Sequence, residues 1–206
     1  MEMMEIMEKY DLFHISGVDN TGTTDKGASN KLDGHSYIQN FYGKEFEVYK
    51  NKKIKILEIG IFEGGSIKLW KEYFSKVKEI VGVDITNEYL HPKYLNIDKV
   101  FYNFGDAYDH EFSKIFSNDF DIIIDDGPHT LETQIASIQL YLPKLKKGGI
   151  FVIEDVQYDS WFNNFIDESE KIYKNDNSNA EYVVDCLDFR DTLGRSDDML
   201  FVIKKV

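Results

Sequence analysis

An α/β fold, with a mostly parallel sheet covered by helices on both faces, is what this sequence predicts. Three observations predict it. From residue 54 onward, short apolar runs alternate with amphipathic ones, the pattern of strands buried between two helical layers. Each of these apolar runs closes on a glycine, an acid or both: Glu58-Ile59-Gly60, Asp84, Gly105-Asp106, Asp125-Asp126 and Glu154-Asp155. The tail breaks the rhythm, since EYVVDCLDF and DMLFVIKKV read as two strands joined by a Gly-containing polar loop, an antiparallel hairpin.

Taken in order, residues 1–15 (MEMMEIMEKYDLFHI) read as a short amphipathic helix whose methionines suit docking. Residues 16–35 are dense in Gly, Thr, Asp and Asn, which is loop chemistry. A connection of about 20 residues is long for a structureless loop, so a binding loop or lid is expected there. YIQNFYGKEFEVY then puts Tyr37, Ile38, Phe41, Tyr42 and Phe46 on one helical face. The alternation follows: IKILEIG strand, GSIKLWKEYF helix, EIVGVDI strand, a short helix over 88–95, KVFYNFGD strand, DHEFSKIFS helix. FDIIIDD strand, LETQIASIQLYLPKL helix and GGIFVIED strand complete it. No repeat, low-complexity tract or linker divides the chain. A single domain over 1–206 is expected, with a helical and lid segment at 1–50 and the α/β core at 51–206.

Composition narrows the function. A 206-residue chain that is 42% hydrophobic and 15% aromatic can bury a proper core. A formal charge of −13 disfavours a nucleic-acid backbone or an anionic membrane as partner. No apolar run approaches the roughly 18–20 residues of a membrane helix, and the acidic start is unlike a signal peptide. The lone cysteine, Cys186, excludes an internal disulfide and suits a reducing cytosol, so a cytoplasmic location is expected.

In such a sheet, ligands bind beyond the carboxyl ends of the strands, near the point where strand order reverses. LEIGIFEGGS is a strand, a Gly-rich turn and a helix start, with Gly60 allowing the sharp turn and Gly64 and Gly65 letting a ligand approach. Asp84 ends the next strand, where a carboxylate commonly takes ribose hydroxyls. Phe62 stands where a dinucleotide fingerprint needs its second glycine, and no phosphate loop is present. Glu58 would repel a pyrophosphate but suits a cationic ligand, such as a sulfonium with an amino-acid tail. Further along, Asp126 follows one strand and Glu154 and Asp155 another. Three converging carboxylates are poor company unless a hard cation sits among them, and oxygen-only ligands suit Mg²⁺ or Mn²⁺. His129 lies just beyond, and neutral imidazole can take a proton. His35, before Tyr37 in the lid-like loop, gives with it a weaker claim to contact a substrate.

These motifs together carry a family resemblance. TDKG at 24–27, HSY at 35–37, LEIGIFEGGSIKLW at 57–70, GD at 105–106, IIIDDGPH at 122–129 and LPKLKKGGIFVIEDV at 142–156 resemble class I S-adenosylmethionine-dependent methyltransferases. More specifically, they are similar to metal-dependent sugar O-methyltransferases of the macrocin O-methyltransferase type. Pro128 departs from the small polar residue expected there, and the segment after Asp155 shows no clear match, which leaves the substrate's identity open. The resemblance implies a Rossmann-like, doubly wound sheet of seven strands whose last is antiparallel. It implies that Glu58, Gly60 and Ser66 line the methionine part of S-adenosylmethionine, Asp84 holds the ribose, and Gly105-Asp106 meets the adenine amino group. Thr24, Asp25 and Lys26 would close over the cofactor, and Asp125 would face the cofactor or the strand end. Asp126, Glu154 and Asp155 would ligate Mg²⁺ (or Mn²⁺), and His129 would be the general base. The activity implied is methyl transfer to a hydroxyl of a saccharide or glycan. A catechol-type O-methyltransferase and a non-catalytic cofactor-binding module are the alternatives. Whether the chain forms a homo-oligomer is left open.

Overall fold

The structure is a computed structural model that describes residues 1–12, 36–176 and 180–206. The lid-like loop, with Thr24, Asp25, Lys26 and His35, lies outside the described residues. Seven strands form one sheet: β1 (Lys55–Ile59), β2 (Glu79–Asp84), β3 (Val100–Phe104), β4 (Phe120–Asp125), β5 (Leu145–Ile153), β6 (Tyr182–Asp188) and β7 (Met199–Lys205). Their order is β3-β2-β1-β4-β5-β7-β6. The first five pair in parallel, and β7 runs antiparallel to both β5 and β6. This is the expected doubly wound sheet, tail hairpin included. Strand order reverses between β1 and β4, so a crevice opens there beyond their carboxyl ends.

Strand β4 shows why the sheet holds. Ile122 and Ile124 join one apolar layer, while Ile123 joins the other, as a two-residue period requires. All three are fully buried, each contributing about 1.5–3 kcal/mol. That offsets the desolvation of the acid that ends the strand. One layer holds α1 (Met3–Tyr10), the segment 38–49 and α3 (Gly65–Tyr73), through Ile6, Met7, Tyr42, Phe46 and Trp70. The other holds α5 (Leu131–Tyr141) and α6 (Trp161–Asn175), through Ile138, Tyr141 and Phe165.

Several elements differ in detail from expectation. Residues 38–49 are not one regular helix but a π-helical turn (Ile38–Tyr42), a short α2 (Gly43–Glu45) and a 3-10 turn (Glu47–Tyr49). The wider turn lets the consecutive rings of Phe41 and Tyr42 both enter the core. A side chain at 43 would press on the Ile38 carbonyl, 2.9 Å from a Cβ, which suits glycine there. Helix α5 is capped by Thr130 and stops ahead of Pro143, where a 3-10 turn takes over. The stretches expected as helices at 88–95 and 109–117 shrink to a 3-10 turn (Pro92–Tyr94) and one turn of α4 (His110–Ser113). Helix α6 is an element beyond those expected: Phe165 and Ser169 are fully buried, and Trp161, Phe162, Ile166, Ile172 and Tyr173 pack beside them on the second layer. One further turn, α7 (Arg190–Leu193), lies within the tail hairpin.

Candidate active site

The crevice is a cavity of about 850 Å³, within the range of small-molecule sites. Gly60, Phe62 and Ser66 wall one side, and Asp84, Gly105 and Asp106 the next. Asp126, Gly127, His129 and Arg195 form the far side. The Gly60 turn is fixed from three directions. Its N–H donates to the Val83 carbonyl at 2.8 Å, and Asp126 N–H donates to the Ile59 carbonyl at 2.9 Å. One Asp84 oxygen, Oδ2, accepts from Ile61 N–H at 3.1 Å and Phe62 N–H at 2.9 Å. With φ at 80°, Gly60 would place a Cβ 1.9 Å from the Asp126 carbonyl oxygen. Only glycine fits, and the turn and the acidic cluster are thereby built against each other.

At the cavity's far side, Asp126, His129 and Asp155 bring one ligand atom each to within 4.8 Å of one another. His129 Nε2 stands 3.8 Å from Asp126 Oδ1. The Asp155 carboxylate accepts from the Tyr37 hydroxyl at Oδ1 and from Arg195 Nη2 at Oδ2, each at 2.7 Å. Burial, then the negative Asp126 beside it, raises the Asp155 pKa. Five described non-glycine residues have positive φ, and Phe62 (44°), His129 (55°) and Asp155 (51°) are among them. Left-handed backbone at such residues costs about 1–3 kcal/mol each and persists where the surroundings enforce it. Strain gathered at one cavity is a functional signature.

The residues present fit a divalent cation here. His129 Nδ1 is buried without a hydrogen-bond partner among the described residues, and two carboxylates face the same point. The glycine-floored wall with Asp84 and Asp106 likewise fits a nucleoside-bearing cofactor.

Other expected residues are placed less directly. Ser66, Gly105 and Asp106 reach the cavity wall, with Asp106 Oδ1 accepting from Tyr108 N–H at 2.9 Å. Asp125 is buried beneath it, bonded to the Tyr108 hydroxyl at 2.7 Å. Glu58 is fully buried behind the turn and accepts from Trp70 Nε1 at 2.9 Å, so it does not line the cavity. Glu154 is not one of the Asp126–His129–Asp155 group, and Oε1 of its buried carboxylate accepts from the Tyr42 hydroxyl. Tyr37, expected to touch substrate, instead packs edge-on to Phe189 and buttresses Asp155 from behind.

Sequence reasoning missed Arg195, Tyr108 and Phe62 as wall residues. Arg195 sits in a polar Gly-containing turn that reads as surface. Tyr108 gives a signal only through Gly127, where a Cβ would fall 1.9 Å from its hydroxyl.

Sheet order defines the fold class: the chain has a Rossmann-like fold shared with solved methyltransferases. MycE methyltransferase from the mycinamycin biosynthetic pathway, solved in complex with Mg and SAH, superimposes with a TM-score of 0.65 at 21% identity. That match covers 100% of this chain and 55% of that one. Among curated proteins, the chain is similar to mycinamicin VI 2''-O-methyltransferase of Micromonospora griseorubida, 33% identical over 130 residues. The match takes in 58% of this chain and 31% of that protein. Demethylmacrocin O-methyltransferase of Streptomyces fradiae is 34% identical over 131 residues, covering 58% and 32%. The resemblance read from the motifs is thus borne out, and the matched region spans about a third of the length of these relatives. No family model matches the chain.

Proposed function

We propose that this chain is an S-adenosylmethionine-dependent, divalent-metal-assisted O-methyltransferase acting on a hydroxyl of a saccharide, as a single domain in the cytosol. The Asp126–His129–Asp155 group at the edge of a glycine-floored cavity carries the reading. Similarity to two sugar O-methyltransferases supports it, and so does a solved MycE complex containing Mg, SAH and mycinamycin VI. Among the described residues no helix is long and apolar enough to cross a membrane.

The roles follow the geometry. Asp84 and Asp106 accept hydrogen bonds from the nucleoside part of the cofactor, and Gly60 and Ser66 admit its methionine part. Glu58 supports that end from beneath through Trp70. Asp126 and Asp155 hold Mg²⁺ or Mn²⁺, with Glu154 behind them. Once bound, cofactor and cation supply an electrophilic methyl group and Lewis acidity toward neighbouring hydroxyl oxygens. His129 accepts the acceptor hydroxyl's proton as that oxygen bonds to the methyl carbon and the carbon–sulfur bond breaks. His129 Nε2, 3.8 Å from Asp126 Oδ1, stands beside the oxygens that would hold the cation and so beside the acceptor hydroxyl. Thr24, Asp25, Lys26 and His35 belong to the segment proposed to cover the site. The catechol-type alternative is not favoured: the described wall offers His129 and no lysine as base.

The test is methyl transfer from labelled S-adenosylmethionine to a panel of nucleotide sugars and glycosides, with chelator and with added Mg²⁺ or Mn²⁺. Turnover on a sugar that stops in chelator and returns with metal is expected. Asp126→Asn should lose that turnover while binding the cofactor normally. Full activity in chelator would remove the metal from the reading, and binding of NADH in its place would overturn the cofactor.

A further inference from the structure

The proposed chemistry leaves Arg195, a charged residue of the cavity wall, without a role. Its Nη2 lies 2.7 Å from Asp155 Oδ2, across forty residues of chain. Its Nε lies 3.4 Å from Asp197 Oδ1 and 3.3 Å from Asp198 Oδ1. The turn that carries it is anchored: Arg195 N–H donates to buried Asp198 at 2.6 Å, and Gln157 Nε2 donates to Asp197 at 3.2 Å. The guanidinium is nonetheless half exposed and stands on the cavity wall. A role in gripping an anionic acceptor is disfavoured, because three carboxylates already face it.

We propose that Arg195 is a built-in cation that competes with the metal ion for Asp155 and so sets the metal affinity of the site. This rests on reading Asp126 and Asp155 as the residues that hold a divalent cation. A guanidinium on Oδ2 offsets the charge of a buried carboxylate but occupies one of the two oxygens Asp155 could offer a metal ion, the other already accepting from the Tyr37 hydroxyl. Swinging Nη2 away leaves Nε beside Asp197 and Asp198, so the displaced side chain keeps ionic partners. Residual guanidinium charge near the ion opposes binding as well. Both effects act in one direction: Arg195 weakens the metal.

The experiment is calorimetric titration of Mg²⁺ and Mn²⁺ into the chelator-stripped full chain, without acceptor, for the parent, Arg195→Ala and Arg195→Lys. Arg195→Ala should bind metal about 1.5- to fivefold more tightly, the range for losing a partly exposed ion pair. Arg195→Lys, which keeps charge without the planar fork, should gain less. Unchanged or weaker affinity in an Arg195→Ala protein that melts near the parent overturns the proposal. If that variant does not fold, Arg195→Lys decides by the same criterion. Metal binding by neither parent nor variants overturns it together with the cation reading. Metal binding by a parent indistinguishable from Arg195→Ala overturns the role of Arg195 alone.

Discussion

Replacing Gly60 by alanine tests whether the cofactor turn and the acidic cluster are one construction. The added Cβ would sit 1.9 Å from the Asp126 carbonyl oxygen and 2.5 Å from its carbon, both backbone atoms that no rotamer change can move. Left-handed φ at a non-glycine residue adds about 1–3 kcal/mol, and relieving the overlap by shifting packed backbone adds about 1–3 kcal/mol more. The sum, roughly 2–6 kcal/mol, lowers Tm by about 4–24 °C for a chain of this size. Because the atom that must retreat belongs to Asp126, metal affinity should fall along with S-adenosylmethionine affinity. Thermal unfolding and paired calorimetric titrations of Gly60→Ala measure all three. A variant with parental Tm and both affinities intact refutes the coupling. Loss of cofactor binding with metal affinity unchanged refutes it too, since strain would then be absorbed on the turn side alone.

Asp84→Ala removes an acceptor for two backbone N–H groups as well as the proposed ribose contact. Cofactor affinity should drop by about tenfold or more, charge-assisted bonds being worth about 1.5–3 kcal/mol each, and an unchanged dissociation constant would remove Asp84 from the cofactor site. His129→Ala should lose about 10²–10⁴-fold in turnover while still binding the cofactor. Recovery of that loss at saturating metal would make His129 a ligand rather than the base. Burial pushes the Asp125 carboxyl up to about 6. A pKa raised above its unfolded value contributes stability that is present at low pH and lost as pH rises through about 6, by at most about 3 kcal/mol. In chelator, Asp125→Asn should therefore gain stability over the parent at neutral pH and not at pH near 4. An equal difference at both pH values would refute the shift.

The sheet was legible because its strands alternate with helices strongly enough to survive any local error. Ile122 to Ile124 mark a strand buried on both faces whatever the neighbours do. The acids at the strand ends were legible for a related reason, since unpaired carboxylates beside such strands need a purpose. What each acid does is set by distant chain. Glu154 and Asp155 are adjacent in sequence, yet one meets Tyr42 and the other Tyr37 and Arg195. No local pattern distinguishes them. Segment 38–49 kept its buried residues but not its period, because a π-helical turn moves two rings inward at once. Helix α6 carries a helical period of its own, with Trp161, Phe162, Phe165, Ile166, Ile172 and Tyr173 on one face, but it lies beyond Asp155, where the strand–helix rhythm ends.

Strand β7 is the last of the sheet in sequence but lies inside it, between β5 and β6. Before it arrives, β5 presents a bare edge of backbone donors and acceptors next to Asp155, and β6 has nothing to pair with. During synthesis, therefore, the nascent domain passes through a stage with an open sheet edge, a template for wrong pairing. The same strand follows directly on the turn that bears Arg195. Filling the gap in the sheet and delivering the guanidinium to Asp155 are thus a single folding event. A nonsense mutation before Met199 would leave an aggregation-prone edge rather than a slightly shortened domain.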